Sequence, residues 1–113
     1  MTLNLTKGYY QIGMTEQVKC LSAFICETGS FQFNQMPFGL LAAGFTFQKL
    51  MLSILQPYHN FAATYIDDVI IFDNSYDEHI KHNEVICNCF KQNNLTIKPS
   101  KVQLCHDKVK FLL

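Results

Sequence analysis

The feature that most constrains this chain is a pair of adjacent acids, Asp67 and Asp68, set between two apolar runs. Residues 61–66 precede the pair and residues 69–72 follow it, and both runs have strand character. A two-residue separation is the length of a tight β-hairpin. Asp-Gly or Asn-Gly makes such a turn more easily, and neighbouring carboxylates repel each other. One resolution is an acidic turn in open solvent. The other is a divalent cation, because hard carboxylate oxygens are the ligands that Mg²⁺ prefers. The hairpin alone leaves both open.

Around this hairpin the pattern alternates between strand and helix. Residues 2–5 form a short β-prone start, and residues 21–27 and 31–35 read as a hairpin around Glu27-Thr28-Gly29-Ser30. Residues 40–55 change to helical spacing, with Leu41, Phe45, Gln48, Leu52 and Leu55 on one face. That helix is apolar nearly all round, which predicts burial, and Pro57 ends it. Residues 77–93 predict a second helix, capped by Asn74, Ser75 or Asp77, with Asn94 suited to a left-handed cap. Residues 95–97, 102–105 and 109–113 are further strand candidates. The expected class is α+β, an antiparallel sheet with two helices packed on one face.

Composition narrows the function classes. At 113 residues the chain makes a single domain, 1–113, and its 49% apolar and 16% charged content excludes a disordered tail. Net charge is zero and arginine is absent, which argues against a stand-alone nucleic-acid binder. No apolar run reaches the ~20 residues of a membrane span, and no leader pattern opens the chain. Five cysteines in apolar stretches suggest reduced, buried thiols in an intracellular compartment. His79 and His82, three apart beside Asp77 and Glu78, have a spacing that could hold zinc, but capping and a solvated face are the simpler reading.

Five segments in register resemble the palm motifs of reverse transcriptases from gypsy-type long-terminal-repeat retrotransposons. Thr2-Leu3-Asn4-Leu5-Thr6-Lys7-Gly8-Tyr9-Tyr10-Gln11-Ile12 is similar to the first motif. Met36-Pro37-Phe38-Gly39-Leu40 with Phe45-Thr46-Phe47-Gln48 is similar to the second, and Tyr65-Ile66-Asp67-Asp68 to the third. Leu95-Thr96-Ile97-Lys98-Pro99-Ser100-Lys101 and Val109-Lys110-Phe111-Leu112 resemble the segments that follow. The resemblance spans essentially the whole chain and implies a partial polymerase palm.

It also implies nucleotidyl transfer by two Mg²⁺ (or Mn²⁺) ions acting on an RNA/DNA template–primer and a deoxynucleoside triphosphate. Asp67 is then a metal ligand, Asp68 the neighbouring acid, and the Leu5 carbonyl faces the metal. Tyr9 matches the residue that excludes the ribose 2′-hydroxyl, and Phe38 and Gly39 match the lining of the nucleotide pocket. Gln48 matches a helix residue near the template, and Lys98 and Lys101 a basic stretch near the phosphates. Core packing is the other reading of Tyr9 and Phe38.

The departures from the family bear on activity. The first motif of an active enzyme reads Leu-Asp-Leu, and here it reads Leu3-Asn4-Leu5. Asparagine is neutral and cannot bridge two metals as a carboxylate does, so the chain is expected to be catalytically inactive. Leu41-Ala42-Ala43-Gly44 stands where the family usually has a proline next to the helix start, with Gly44 loosening the backbone, and Asn83 stands where an apolar residue is usual. Fingers, thumb and ribonuclease H segments are expected to be missing, leaving apolar edges open to self-association. Two further readings stay open: a palm-derived module without enzymatic activity, and a decayed open reading frame.

Overall fold

A computed structural model describes residues 1–111. Its centre is a three-stranded antiparallel sheet in the order β1 (Thr2–Asn4), β5 (Asp68–Ile71), β4 (Ala62–Tyr65). The register pairs Leu3 with Val69 and Asn4 with Asp68 on one side of β5, and Tyr65 with Asp68 on the other. Successive strand residues point to opposite faces. One face therefore carries Leu3, Val69, Ile71 and Ala62, all buried. The opposite face carries the row Asn4, Asp68 and Tyr65, which is half-buried to exposed.

The buried face is covered by two helices, α2 (Ala43–Leu55) and α3 (Tyr76–Gln92). Phe47, Met51 and Leu55 of α2 and Ile86 and Phe90 of α3 join the sheet residues in one apolar cluster. Burial of these side chains from water supplies the main driving force for the fold. The expected architecture, an antiparallel sheet with two helices on one face, is present.

Several local expectations need correction. Helix α2 starts at Ala43, three residues later than its spacing suggested, because Gly39 takes a φ of 91° and residues 40–42 turn before the helix. Its buried row is Ala43, Phe47, Met51 and Leu55, spaced four apart, while Phe45 and Leu52 are 74% and 54% exposed. The helix is thus buried on the sheet side only. A short helix, α1 (Glu16–Leu21), was not foreseen. The Thr15 hydroxyl caps it by accepting from the Val18 N–H, and Lys19 pairs with Glu16 at 2.9 Å. This helix takes Leu21 out of the expected strand. The hairpin that follows is β2 (Phe24–Cys26) and β3 (Gly29–Phe31), joined by Glu27 and Thr28 alone. Gly29 and Ser30 belong to the ladder and not to the turn.

Helix α3 is capped by Ser75, whose hydroxyl accepts from the Glu78 N–H at 3.3 Å, and Asn94 has the left-handed φ of 57°. The two late strands shrink to single bridges, Leu5 to Ile97 and Thr2 to Gln103, around a 3₁₀ turn at Pro99–Lys101. Of the strand expected at 109–113, residues 109–111 are irregular and residues 112–113 lie outside the described residues. The thiols also differ from expectation: Cys89 is buried, whereas Cys20, Cys26, Cys87 and Cys105 are exposed.

Asn83 is 8% exposed, on the inner side of α3. Its Oδ1 is buried with no hydrogen-bond partner among the described residues. An unsatisfied buried acceptor costs about 1–3 kcal/mol. Replacing Asn83→Leu is therefore expected to stabilise the fold by about 1–2 kcal/mol, read as a higher midpoint in urea at unchanged slope.

Candidate active site

The site is built where β1, the β4–β5 turn and the start of β5 meet. The turn itself differs from the sequence reading. Ile66 and Asp67 connect the strands, and Asp68 is the first residue of β5, paired to Tyr65. Ile66 has a φ of 52°, a left-handed conformation that a β-branched residue rarely adopts. Such strain persists only where the surroundings hold it.

Gln48 of α2 does the holding. The Ile66 N–H donates to Gln48 Oε1, and Gln48 Nε2 donates to the Thr64 carbonyl at 3.2 Å. One side chain thus bonds the end of β4 and the first residue of the turn. Gln48, which the sequence matched to a helix residue near the template, grips the hairpin with its amide.

From the other side, the Leu5 N–H donates to the Asp67 carbonyl at 3.2 Å. Gly8 lies beneath Asp67: a Cβ built on Gly8 would sit 3.4 Å from Asp67 Cβ and 3.0 Å from the Phe47 ring. A side chain at position 8 would push the turn and the core apart.

Asn4 and Asp68 face each other across the strands. Asn4 Nδ2 donates to Asp68 Oδ1 at 2.7 Å. An ionised carboxylate only accepts, so the amide must turn its NH₂ toward Asp68. The Asn4 carbonyl accepts from the Lys98 N–H at 2.7 Å, which anchors the chain after α3 against β1.

A groove of about 300 Å³ runs over this pair, lined among others by Ser100, Lys101, Gln103 and Lys110. Lys101 therefore shares a groove with Asp68. Lys98 does not line it and contributes its backbone. Lys110 was not singled out. Its place follows from the irregular return of the chain after residue 105, which no local pattern announces.

Tyr9 and Phe38 come together, with ring centroids 4.7 Å apart, and Tyr9 also meets Phe47 edge-on at 5.4 Å. Tyr9 is thus partly core, as its packing reading held. Phe38 is 59% exposed, and Gly39 is exposed beside it.

The histidine pair is elsewhere. His79 Nδ1 lies 2.7 Å from one oxygen of Asp73, His82 Nδ1 bonds the other, and the Asp73 side chain is 2% exposed. Phe61 stacks on His82 at 3.8 Å. The two imidazoles satisfy a buried carboxylate; the cap of α3 is Ser75, and His82 remains partly exposed. Asp73 itself was missed, because nothing in its sequence position marks it as buried.

The family model "Reverse transcriptase (RNA-dependent DNA polymerase)" matches residues 1–112. The chain belongs to the reverse transcriptase family.

Among similar proteins is the "Retrovirus-related Pol polyprotein from transposon 297" of Drosophila melanogaster, 35% identical over 112 residues. That alignment covers 98% of this chain and 11% of the relative. The "Enzymatic polyprotein" of cauliflower mosaic virus (strain NY8153) is 30% identical over 105 residues, 93% of this chain and 15% of the relative. The chain thus spans a small part of the curated relatives it matches. Among solved structures, the foamy viral protease-reverse transcriptase in complex with RNA/DNA hybrid superposes with a TM-score of 0.91. It is 22% identical, with 98% of this chain and 15% of that chain covered, a likeness that establishes the reverse transcriptase fold.

The grip of Gln48 on the turn is testable. Gln48→Ala leaves the Ile66 N–H without its acceptor and is expected to cost about 1–3 kcal/mol in urea denaturation. Amide hydrogen exchange at Ile66 should quicken with it. The neighbouring exposed Lys49→Ala should stay within about 0.5 kcal/mol of wild type.

Proposed function

We propose that this chain is the palm segment of an RNA-directed DNA polymerase from a gypsy-type long-terminal-repeat element, in a form that has lost nucleotide transfer. The observation that carries the reading is the placement of Asn4, Asp67 and Asp68 at one corner of the sheet, with an amide where the family has its first carboxylate.

The parent reaction uses two divalent ions, one activating the primer 3′ oxygen and one holding the triphosphate and departing pyrophosphate. Asp67 and Asp68 are the metal ligands by this reading, with the Leu5 carbonyl beside them. The residues present do not fit the pair. A bridging ligand must offer lone pairs to both ions, and the atom that Asn4 turns toward Asp68 is an N–H donor. No catalytic step through the ions follows for this chain.

The remaining residues keep roles that suit the family's substrates, an RNA/DNA template–primer and a deoxynucleoside triphosphate. Tyr9 packed on Phe38 suits a gate on the sugar, with the exposed Gly39 next in the chain. Lys101, on the groove with Asp68, suits a phosphate contact. A second reading, a module kept for binding without turnover, is favoured by the same Asn4–Asp68 bond, which completes the strand row instead of breaking it.

The test is a graft of residues 1–111 in place of the matching segment of the transposon 297 polyprotein, assayed for primer extension on an RNA template. With Asn4 retained, extension should be more than about 100-fold slower than with Asn4→Asp, since disturbing even an outer ligand contact costs about 10–100-fold. Equal rates in the two grafts would contradict the loss of activity. No extension by a folded Asn4→Asp graft would contradict the polymerase reading itself.

A further inference from the structure

We propose that the Asn4 side chain is a clasp that takes over, without any cation, the work of holding Asp68 against β1. The inference rests on the polymerase reading above and goes beyond it, because it assigns a positive structural role to the residue that removes activity.

The geometry is specific. Asn4 and Asp68 are register partners, so their side chains leave the sheet on the same face. Their bond is 2.7 Å long, within the range of charge-assisted hydrogen bonds. Both residues are half-buried, which limits competition from water. Two carboxylates in this position, directly opposite on adjacent strands, would repel and destabilise the pairing unless a cation lay between them. An amide removes the repulsion and adds a donor aimed at the remaining acid.

The consequences reach beyond one pair. The Asn4 carbonyl binds the Lys98 N–H and the Leu5 N–H binds the Asp67 carbonyl. Both bonds come from the one peptide group that follows the Asn4 Cα, so the clasp adjoins the bond that fixes the β4–β5 turn and the bond that fixes the segment after α3. A sheet held in this way should be insensitive to divalent ions, whereas a three-carboxylate corner should depend on them.

Thermal melting followed by circular dichroism in EDTA, Mg²⁺ and Mn²⁺ tests this on four chains. Wild type should melt at one temperature in all three buffers. Asn4→Asp should melt below wild type in EDTA and rise by about 10 °C when Mn²⁺ is about a hundredfold above its dissociation constant. Asn4→Ala should melt roughly 5 °C below wild type and show no response to either ion. Asp68→Asn, which keeps an acceptor for the clasp, should melt close to wild type and stay unresponsive.

A wild-type Tm that Mn²⁺ raises by several degrees would overturn the clasp while leaving the polymerase reading in place. Equal melting of Asn4→Ala and wild type would also overturn it. If Asn4→Asp fails to respond to Mn²⁺ while Asn4→Ala still melts low, the replacement of a cation is refuted. In that case the ligand roles of Asp67 and Asp68 fall with it.

Discussion

The structure depends on β5 being hydrogen-bonded on both sides. A four-residue strand has few bonds of its own, and Asp68–Ile71 is stable because β1 and β4 both pair with it. Its alternation then decides everything else. Val69 and Ile71 must face the helices, so Asp68 must face away from them, onto the groove. A shift of one residue would bury an aspartate under Phe47 and Met51 and expose two aliphatic side chains. The hydrophobic core and the placement of the acid are therefore one constraint.

The acid row explains why the region around it is so heavily tied. Ile66 is in an unfavourable conformation, and Gln48 holds it from the helix side while Leu5 holds Asp67 from the strand side. Gly8 clears the space below. These residues lie in three separate segments of the sequence and converge on one turn. Asn4 enters that arrangement as a neutral amide, electrostatically quieter than a carboxylate would be. The amide donates a hydrogen bond to Asp68 where a carboxylate would repel it.

Much of this was legible beforehand, for identifiable reasons. Helix α3 was placed to within a residue because Ser75 is a strong cap and Asn94 a strong stop. Asp67 and Asp68 were legible because acids between apolar runs break the binary pattern. The turn was shifted by one residue because the left-handed position fell on Ile66, which no local preference predicts, and a side chain 18 positions away pays for it. The α2 face was misread because its helix is apolar on several sides, and only the sheet selects the Phe47–Met51 row over Phe45 and Leu52. The late strands were lost because Pro99 and the turn around it permit only single bridges. Asp73 stayed hidden because its burial depends on two histidines brought over it by α3.

The most direct measurement is the side-chain amide of Asn4 in a ¹⁵N-resolved NMR spectrum of the whole chain. The account predicts two well-separated Hδ2 protons, one of them protected from exchange by its bond to Asp68, with Mg²⁺ leaving both unmoved. An amide with free-solvent shifts and free-solvent exchange, or one displaced on adding Mg²⁺, would contradict it.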